Sequence, residues 1–127
     1  MSLKIGKAIN YLLSNKPAVT ALVNNRIYPI AAPDDTEVSF IVYKRLNINA
    51  KYTKDGCFEN ECSVKISVIS KDYAESVDII QAVRDTLELF KGEAGGITIR
   101  TSRVESASED YGQDGYIQEV NFLITTN

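Results

Sequence analysis

The sequence predicts an α+β fold: an antiparallel β-sheet of four to five strands, with one long and two short helices packed mainly on one face. Three observations carry this reading. Residues 73–91 place apolar side chains at helical spacing. Residues 58–68 alternate apolar and polar, as a half-buried strand does. The elements follow in the order α, α, short β, β, β, α, β, β, which sets a hairpin-linked strand pair on either side of the long helix. A length of 127 residues fits one domain, 1–127, with no internal repeat and no credible linker.

The first helix is read over residues 3–14. Ile5, Ala8, Ile9 and Leu12 share one face, and Asn15 can close it. Lys4 and Lys7 give this segment a basic start, but Asn10, Ser14 and Asn15 interrupt the apolar stretch of about 7–15 residues that a signal peptide needs. An amphipathic helix in a cytoplasmic product is therefore expected. Pro17 suits the first turn of a second helix, because its missing N–H costs nothing there. Ala18, Val19, Leu22 and Val23 form its apolar side, and Asn24-Asn25 ends it. Arg26-Ile27-Tyr28 reads as a brief strand, confined to a sheet edge by Pro29 and Pro33. Residues 31–36 read as a loop.

Val38 to Leu46 has the β-branched and aromatic density of a strand, with Val38, Phe40 and Val42 on one face and Ile41 and Tyr43 on the other. Such a strand is covered on both sides. Residues 47–57 read as a connection with a turn at Asp55-Gly56. Phe58, Cys62, Val64, Ile66 and Val68 then mark the buried face of the next strand. In the long helix, Asp72 and Glu75 have the spacing of a capping box. Val77, Ile80, Val83, Leu87 and Phe90 are the expected core stripe, with Lys91 in the last turn and Gly92 as the stop. A strand from Ile97 to about Val104, a loop over 106–115 and a strand from Tyr116 to Thr125 complete the chain. Val120, Phe122 and Ile124 are expected to face inward.

Composition points away from catalysis. The chain has no histidine, the commonest general base and metal ligand. Cys57 and Cys62 are too few for a zinc site, and read as two reduced thiols, Cys62 half-buried and Cys57 in a loop. No phosphate-binding glycine loop and no Gly-x-Ser-x-Gly elbow occurs. The acid pairs Asp34/Asp35, Glu59/Glu61 and Glu109/Asp110 fall on expected loops or a wet strand face, where carboxylates do poor acid–base work at neutral pH. Glu109, Asp110 and Asp114 could approach a magnesium ion, but their spacing is not that of a calcium loop. No enzymatic activity, cofactor or metal is expected. The longest apolar run, Phe40-Ile41-Val42-Tyr43, is far short of the ~20 residues that cross a bilayer as a helix. A net charge of −3 does not suit a dedicated nucleic-acid binder.

Charge is unevenly placed. Residues 44–54 hold Lys44, Arg45, Lys51 and Lys54 and no acid. Residues 104–127 hold Glu105, Glu109, Asp110, Asp114 and Glu119 and no base. Patches of opposite sign on one subunit favour head-to-tail association. Tyr52 and Tyr111 lie within these two stretches, and exposed tyrosine adds rigid contact area. The candidate protein-interface residues are therefore Lys44, Arg45, Lys51, Tyr52, Lys54, Glu109, Asp110, Tyr111 and Asp114.

The order of segments resembles one known family. Pro17-Ala18-Val19-Thr20-Ala21-Leu22-Val23 runs into Arg26-Ile27-Tyr28-Pro29, followed by Ala32-Pro33, Phe40-Ile41-Val42-Tyr43-Lys44-Arg45 and Val64-Lys65-Ile66-Ser67-Val68. The helix with Tyr73-Ala74-Glu75 and Ala82-Val83-Arg84 comes next. This arrangement is similar to the tail-completion proteins of long-tailed bacteriophages and prophages, relatives of tail terminator and head–tail joining proteins. The stretch 47–62, with both cysteines, matches no motif of that family. The resemblance implies a structural subunit of the virion tail, assembled in the bacterial host cytoplasm. It implies a self-assembled ring, a hexamer, at the head-proximal end of the tail tube. Its partners would be the tail-tube protein and the head connector or stopper, with no membrane. An acidic ring would let DNA pass as cargo without holding it, because DNA binding requires phosphate neutralisation. Two other readings remain: a different phage morphogenesis component, such as a minor tail or connector subunit, and a small-ligand-binding α+β domain.

Overall fold

The computed structural model describes residues 2–126, and of Ser2, Thr53, Cys57 and Phe58 the backbone alone. A 3-10 turn, Ser2–Lys4, leads into α1 (Ile5–Ser14) and α2 (Pro17–Val23). The chain continues through β1 (Ile27–Pro29), β2 (Phe40–Thr53), β3 (Gly56–Ser70), α3 (Tyr73–Leu87), β4 (Gly92–Ala94), β5 (Ile97–Gly112) and β6 (Gly115–Thr126). The strands form one sheet in the order β1-β2-β3-β6-β5-β4.

The sheet has six strands where four to five were expected, and it is mixed: β1 runs parallel to β2, while the remaining pairs are antiparallel. The added strand is β4, Gly-Glu-Ala, whose residues carry no strand propensity; pairing with Ile97–Ile99 makes it a strand. Gly95, in the turn between them, has φ +57, and a Cβ there would lie 2.7–2.8 Å from the Ala8 backbone. That close approach binds the β4–β5 turn to α1, and glycine alone fits it.

The two hairpins are longer than the sequence indicates. Residues 47–53 were expected within a connection and 106–112 within a loop, yet they are strand, closed by tight turns at Lys54-Asp55 and Gln113-Asp114. Apart from half-buried Ile48, the described side chains of both segments are largely exposed, so no hydrophobic alternation marks them; the cross-strand ladder does the work. Each hairpin contains a register shift, at Arg45/Asn47 in β2 and at Val104/Ser106 in β5. Each has a second, at Lys51/Tyr52 in β2 and at Ile99/Thr101 in β5. Such bulges bend a strand and increase its twist.

All three helices lie on one face. Ile41, Tyr43, Cys62, Val64, Ile66, Val68, Ile99, Val120, Phe122 and Ile124 of the sheet form one buried cluster with Ile5, Ile9, Leu13, Val19 and Val23 of α1 and α2. Cys62 is fully buried in that cluster rather than half-buried, and Cys57 lies in strand β3 rather than in a loop. The side chains of Cys57 and Phe58 are outside the described set. On the other face, Phe40 meets Tyr28 edge-on with ring centroids 6.4 Å apart. The 32–36 loop passes beside Phe40, so the chain itself covers the second side of this strand's start.

Helix α3 departs from its expected register. Its buried residues are Ser76, Ile79, Val83 and Leu87, while Val77 is exposed and Ile80 half-buried. Ser76 satisfies its hydroxyl locally by donating to the Tyr73 carbonyl oxygen at 2.6 Å, which lets a polar residue take a core position. The helix ends at Leu87, four residues before Lys91, and the left-handed residue after it is Leu89 (φ 63), not Gly92. At the start, Asp72 caps as expected and accepts from the Glu75 N–H at 3.1 Å. The Glu75 carboxylate does not reach back to Asp72. It accepts from the Ser70 hydroxyl at 3.1 Å and from the buried Ser39 hydroxyl, joining the starts of β2 and α3 to the end of β3.

Two stability measurements check this register. In urea denaturation, Leu87→Ala is expected to cost about 2–5 kcal/mol, while Val77→Ala should stay within about 0.5 kcal/mol. A cost for Val77→Ala as large as that of Leu87→Ala would restore the other stripe. Asp72→Ala should cost about 0.5–2 kcal/mol through loss of the cap.

Candidate functional site

Strand direction decides where the charged stretches lie. β2 ends and β3 begins at one end of the sheet; β5 ends and β6 begins at the other, since Ser70 pairs with Tyr116. The basic tip (Lys51, Tyr52, Lys54) and the acidic tip (Glu109, Asp110, Tyr111, Asp114) therefore project from opposite poles. A fifteen-residue strand, β3, separates them by roughly 45 Å at ~3.3 Å per residue. Lys44 and Arg45 lie lower on β2, half-way along the sheet. The nine candidate residues form two groups at the poles with Lys44 and Arg45 between them, rather than one site.

Several of these charges are engaged within the subunit. Lys51 Nζ lies 3.5 Å from Glu59 and 3.3 Å from Glu61, and Arg100 reaches Glu59 at 3.6 Å. The Glu61 carboxylate, with Glu59 behind it, holds the Lys51 ammonium above its ordinary pKa. Arg45 donates to the Leu3 carbonyl oxygen at 3.1 Å. Further along the open face Lys65 pairs with Glu119 at 3.2 Å, and Asn121 donates to Ser106 at 2.9 Å. The helix-free face thus carries a cross-strand ladder of opposite charges beside half-buried Val42, Ile69, Ile117 and Leu123.

At the acidic pole, Glu109 turns toward α3. Its carboxylate accepts from Gln118 Nε2 and from the Tyr73 hydroxyl, each at 2.9 Å. Gln118 also donates to Ser76 Oγ at 3.3 Å. Tyr111, Tyr116 and Tyr73 stack edge-on beside it, with centroids 4.9 and 5.6 Å apart. This network is the part sequence reasoning missed: Tyr73, Ser76, Gln118 and Tyr116 come from two distant elements, and only Gln118, a lone polar residue between inward-facing positions, hints at it. Asp110 alternates to the opposite face. Among the described residues no group of three or more cysteine or acidic side chains could hold a metal, so Glu109, Asp110 and Asp114 do not converge. No helix is long and apolar enough to cross a membrane. An apolar notch of about 260 Å³, lined by Leu3, Ile5, Pro29, Ile30 and Tyr43, opens beside Lys44 and Arg45.

Comparison with known families matches residues 7–126 to tail completion protein gp17. The chain belongs to the tail completion protein gp17 family. Its role is structural, in the tail of a phage-type particle. Among solved structures, a chain described as "Virion of native gene transfer agent (GTA) particle" has the same fold, with TM-score 0.76 at 16% identity, covering 94% of this chain and 90% of that one. No curated protein matches. In this tail completion protein the helix-free sheet face, the two poles and the sheet edges are the surfaces available for assembly.

The Glu109 network has a pH signature. Hydrogen bonds from Gln118, then from Tyr73, hold the Glu109 carboxyl below its ordinary value, and the same contact raises the Tyr73 phenol. A depressed carboxyl stabilises the fold above its unfolded value, near pH 4, and loses that contribution as pH falls through the folded value. Tyr73→Phe should shift the Glu109 titration, followed by NMR, upward toward an ordinary glutamate. An unchanged titration would show that the hydroxyl does not reach the carboxylate in solution.

Proposed function

We propose that this tail completion protein forms a ring of copies, six in number, at the head-proximal end of the tail tube. There it ends the tube and presents a surface to the head connector or stopper. The observation that carries the reading is the family match over residues 7–126, nearly the whole chain. The geometry supports it in three ways. The two poles differ in charge: Glu109, Asp110 and Asp114 leave one acidic, while at the other Lys51 is matched by Glu59 and Glu61, which gives each copy distinct upper and lower surfaces. The helix-free face lets a sheet line an aqueous lumen without exposing a hydrophobic core. Its charges are largely matched in pairs, which leaves few free cations to trap phosphate as DNA passes. The subunit acts by shape and contact and catalyses no reaction. Assembly takes place in the host cytoplasm before the tail meets the head.

The test is addition of the purified chain to tail tubes that lack a completion protein. Electron microscopy should show a collar at one end only, and native mass spectrometry of the released collar should give six copies. Tubes that bind no collar, or that bind the chain along their length, would overturn the reading.

A further inference from the structure

Both outer edges of the sheet are covered at one end and then run free. On β2, β1 pairs with Ile41–Tyr43, and the Ile30 N–H closes this cover by donating to the Tyr43 carbonyl oxygen at 2.8 Å. On β5, β4 pairs with Ile97–Ile99, and the Leu89 N–H donates to the Ser102 carbonyl oxygen at 2.6 Å. Beyond these points, among the described residues, Lys44–Thr53 and Arg103–Gly112 have no strand on their outer side. The two stretches are equal in length. Each is headed by a large aliphatic residue at positive φ and open to solvent: Ile30 (φ 68, 72% exposed) and Leu89 (φ 63, 80% exposed). A left-handed β-branched residue is strained, and an exposed one gains no burial in return within the monomer.

We infer that the free β2 edge of one copy pairs with the free β5 edge of the next, so that the sheet continues from subunit to subunit. This rests on the ring reading above and names the contact that builds it. Three observations select a second copy as the occupant. First, β2 and β5 run in opposite directions within the subunit, so copies placed side by side in one orientation meet antiparallel. Second, the edges carry opposite charge. Full-length pairing sets Lys44 opposite Gly112 and Thr53 opposite Arg103, which brings Lys44 and Arg45 beside Asp110 and Lys51 toward Glu105. Two β2 edges, or two β5 edges, would instead set like charges together. Third, the caps fit. In this register β1 of one copy lies past the acidic hairpin of its neighbour, and β4 lies past the basic one, so neither blocks the pairing. Each copy gives one edge and receives one, the condition for a closed ring. Long open edges are otherwise an aggregation hazard, which pairing removes.

Backbone phase supplies a clean probe. The Ile41 N–H and the Tyr43 carbonyl oxygen point to β1, so these residues direct their backbone outward. Past the bulge at Leu46 the phase shifts, and Ala50 points outward next to Lys51. Ala50→Pro therefore removes an edge donor and leaves the ladder to β3 intact. The variant should keep the parent's thermal midpoint and circular dichroism, yet bind tube ends at least tenfold more weakly. Lys44→Glu and Asp110→Lys should each weaken collar formation, and their combination in one chain should restore it. Asn49→Cys with Ser108→Cys, which the two bulges bring opposite one another on the open face, should give covalent multimers on tubes under mild oxidation, compared with the parent chain under the same oxidation. Collars of normal affinity from Ala50→Pro, with no added cross-link from the cysteine pair, would overturn the edge pairing while leaving the ring intact. Absence of collars from the parent chain would overturn both.

Discussion

The alternation of Cys62, Val64, Ile66 and Val68 on β3 with Val120, Phe122 and Ile124 on β6 allows the central strands to bury one face only. Everything else in the molecule follows from that one-sidedness. The helices must gather on the buried side, and α3 crosses β3 and β6 with Ile79, Val83 and Leu87 turned down onto them. The opposite face meets water with serines, asparagine and paired charges around a few half-buried aliphatic side chains. A protein that leaves half of its sheet open in this way has a large flat surface and two edges to offer.

Electrostatics then distinguishes those surfaces. The open face is close to balanced, because Lys51, Glu59, Glu61, Arg100, Lys65 and Glu119 answer one another across strands. Exposed pairs of this kind contribute little to stability. Their effect is on what the face attracts: neither polyanions nor cations find an uncompensated field there. The acidic pole differs from it, since Glu109, Asp110 and Asp114 lie in a stretch, residues 104–127, with no cation. The Glu109 carboxylate is an exception at its own pole, drawn back against α3 by Gln118 and Tyr73, so that it anchors the acidic hairpin to the body of the subunit.

Much of the architecture was legible in the sequence where burial writes a pattern. The period-2 alternation over 62–68 and 120–124, the proline-started α2 and the Asp72 cap all appear as expected. Illegible were elements made by pairing rather than by burial. Residues 47–53 and 106–112, largely wet apart from Ile48, read as connection and loop, and Gly-Glu-Ala of β4 has no strand character of its own. The α3 stripe was displaced by one residue because Ser76, a buried serine bonded to its own helix, occupies a place that hydrophobicity assigns to Val77. The unevenness of charge could be read directly. Its placement at opposite poles could not, because that depends on hairpin direction. The Tyr73–Glu109–Gln118 network joins residues far apart in the chain and leaves no local signal.

Acid without cation at one hairpin tip, and matched charge at the other, makes each subunit electrically lopsided along the strand axis. Where copies stand side by side in one orientation, their moments add rather than cancel, and the assembled body acquires a north and a south. In the proposed ring, a tube end and a connector approaching from the two sides would then meet different potentials at distances set by the Debye length, before any surfaces touch. Orientation would be chosen during approach, and an inverted collar would be rejected by repulsion rather than by misfit.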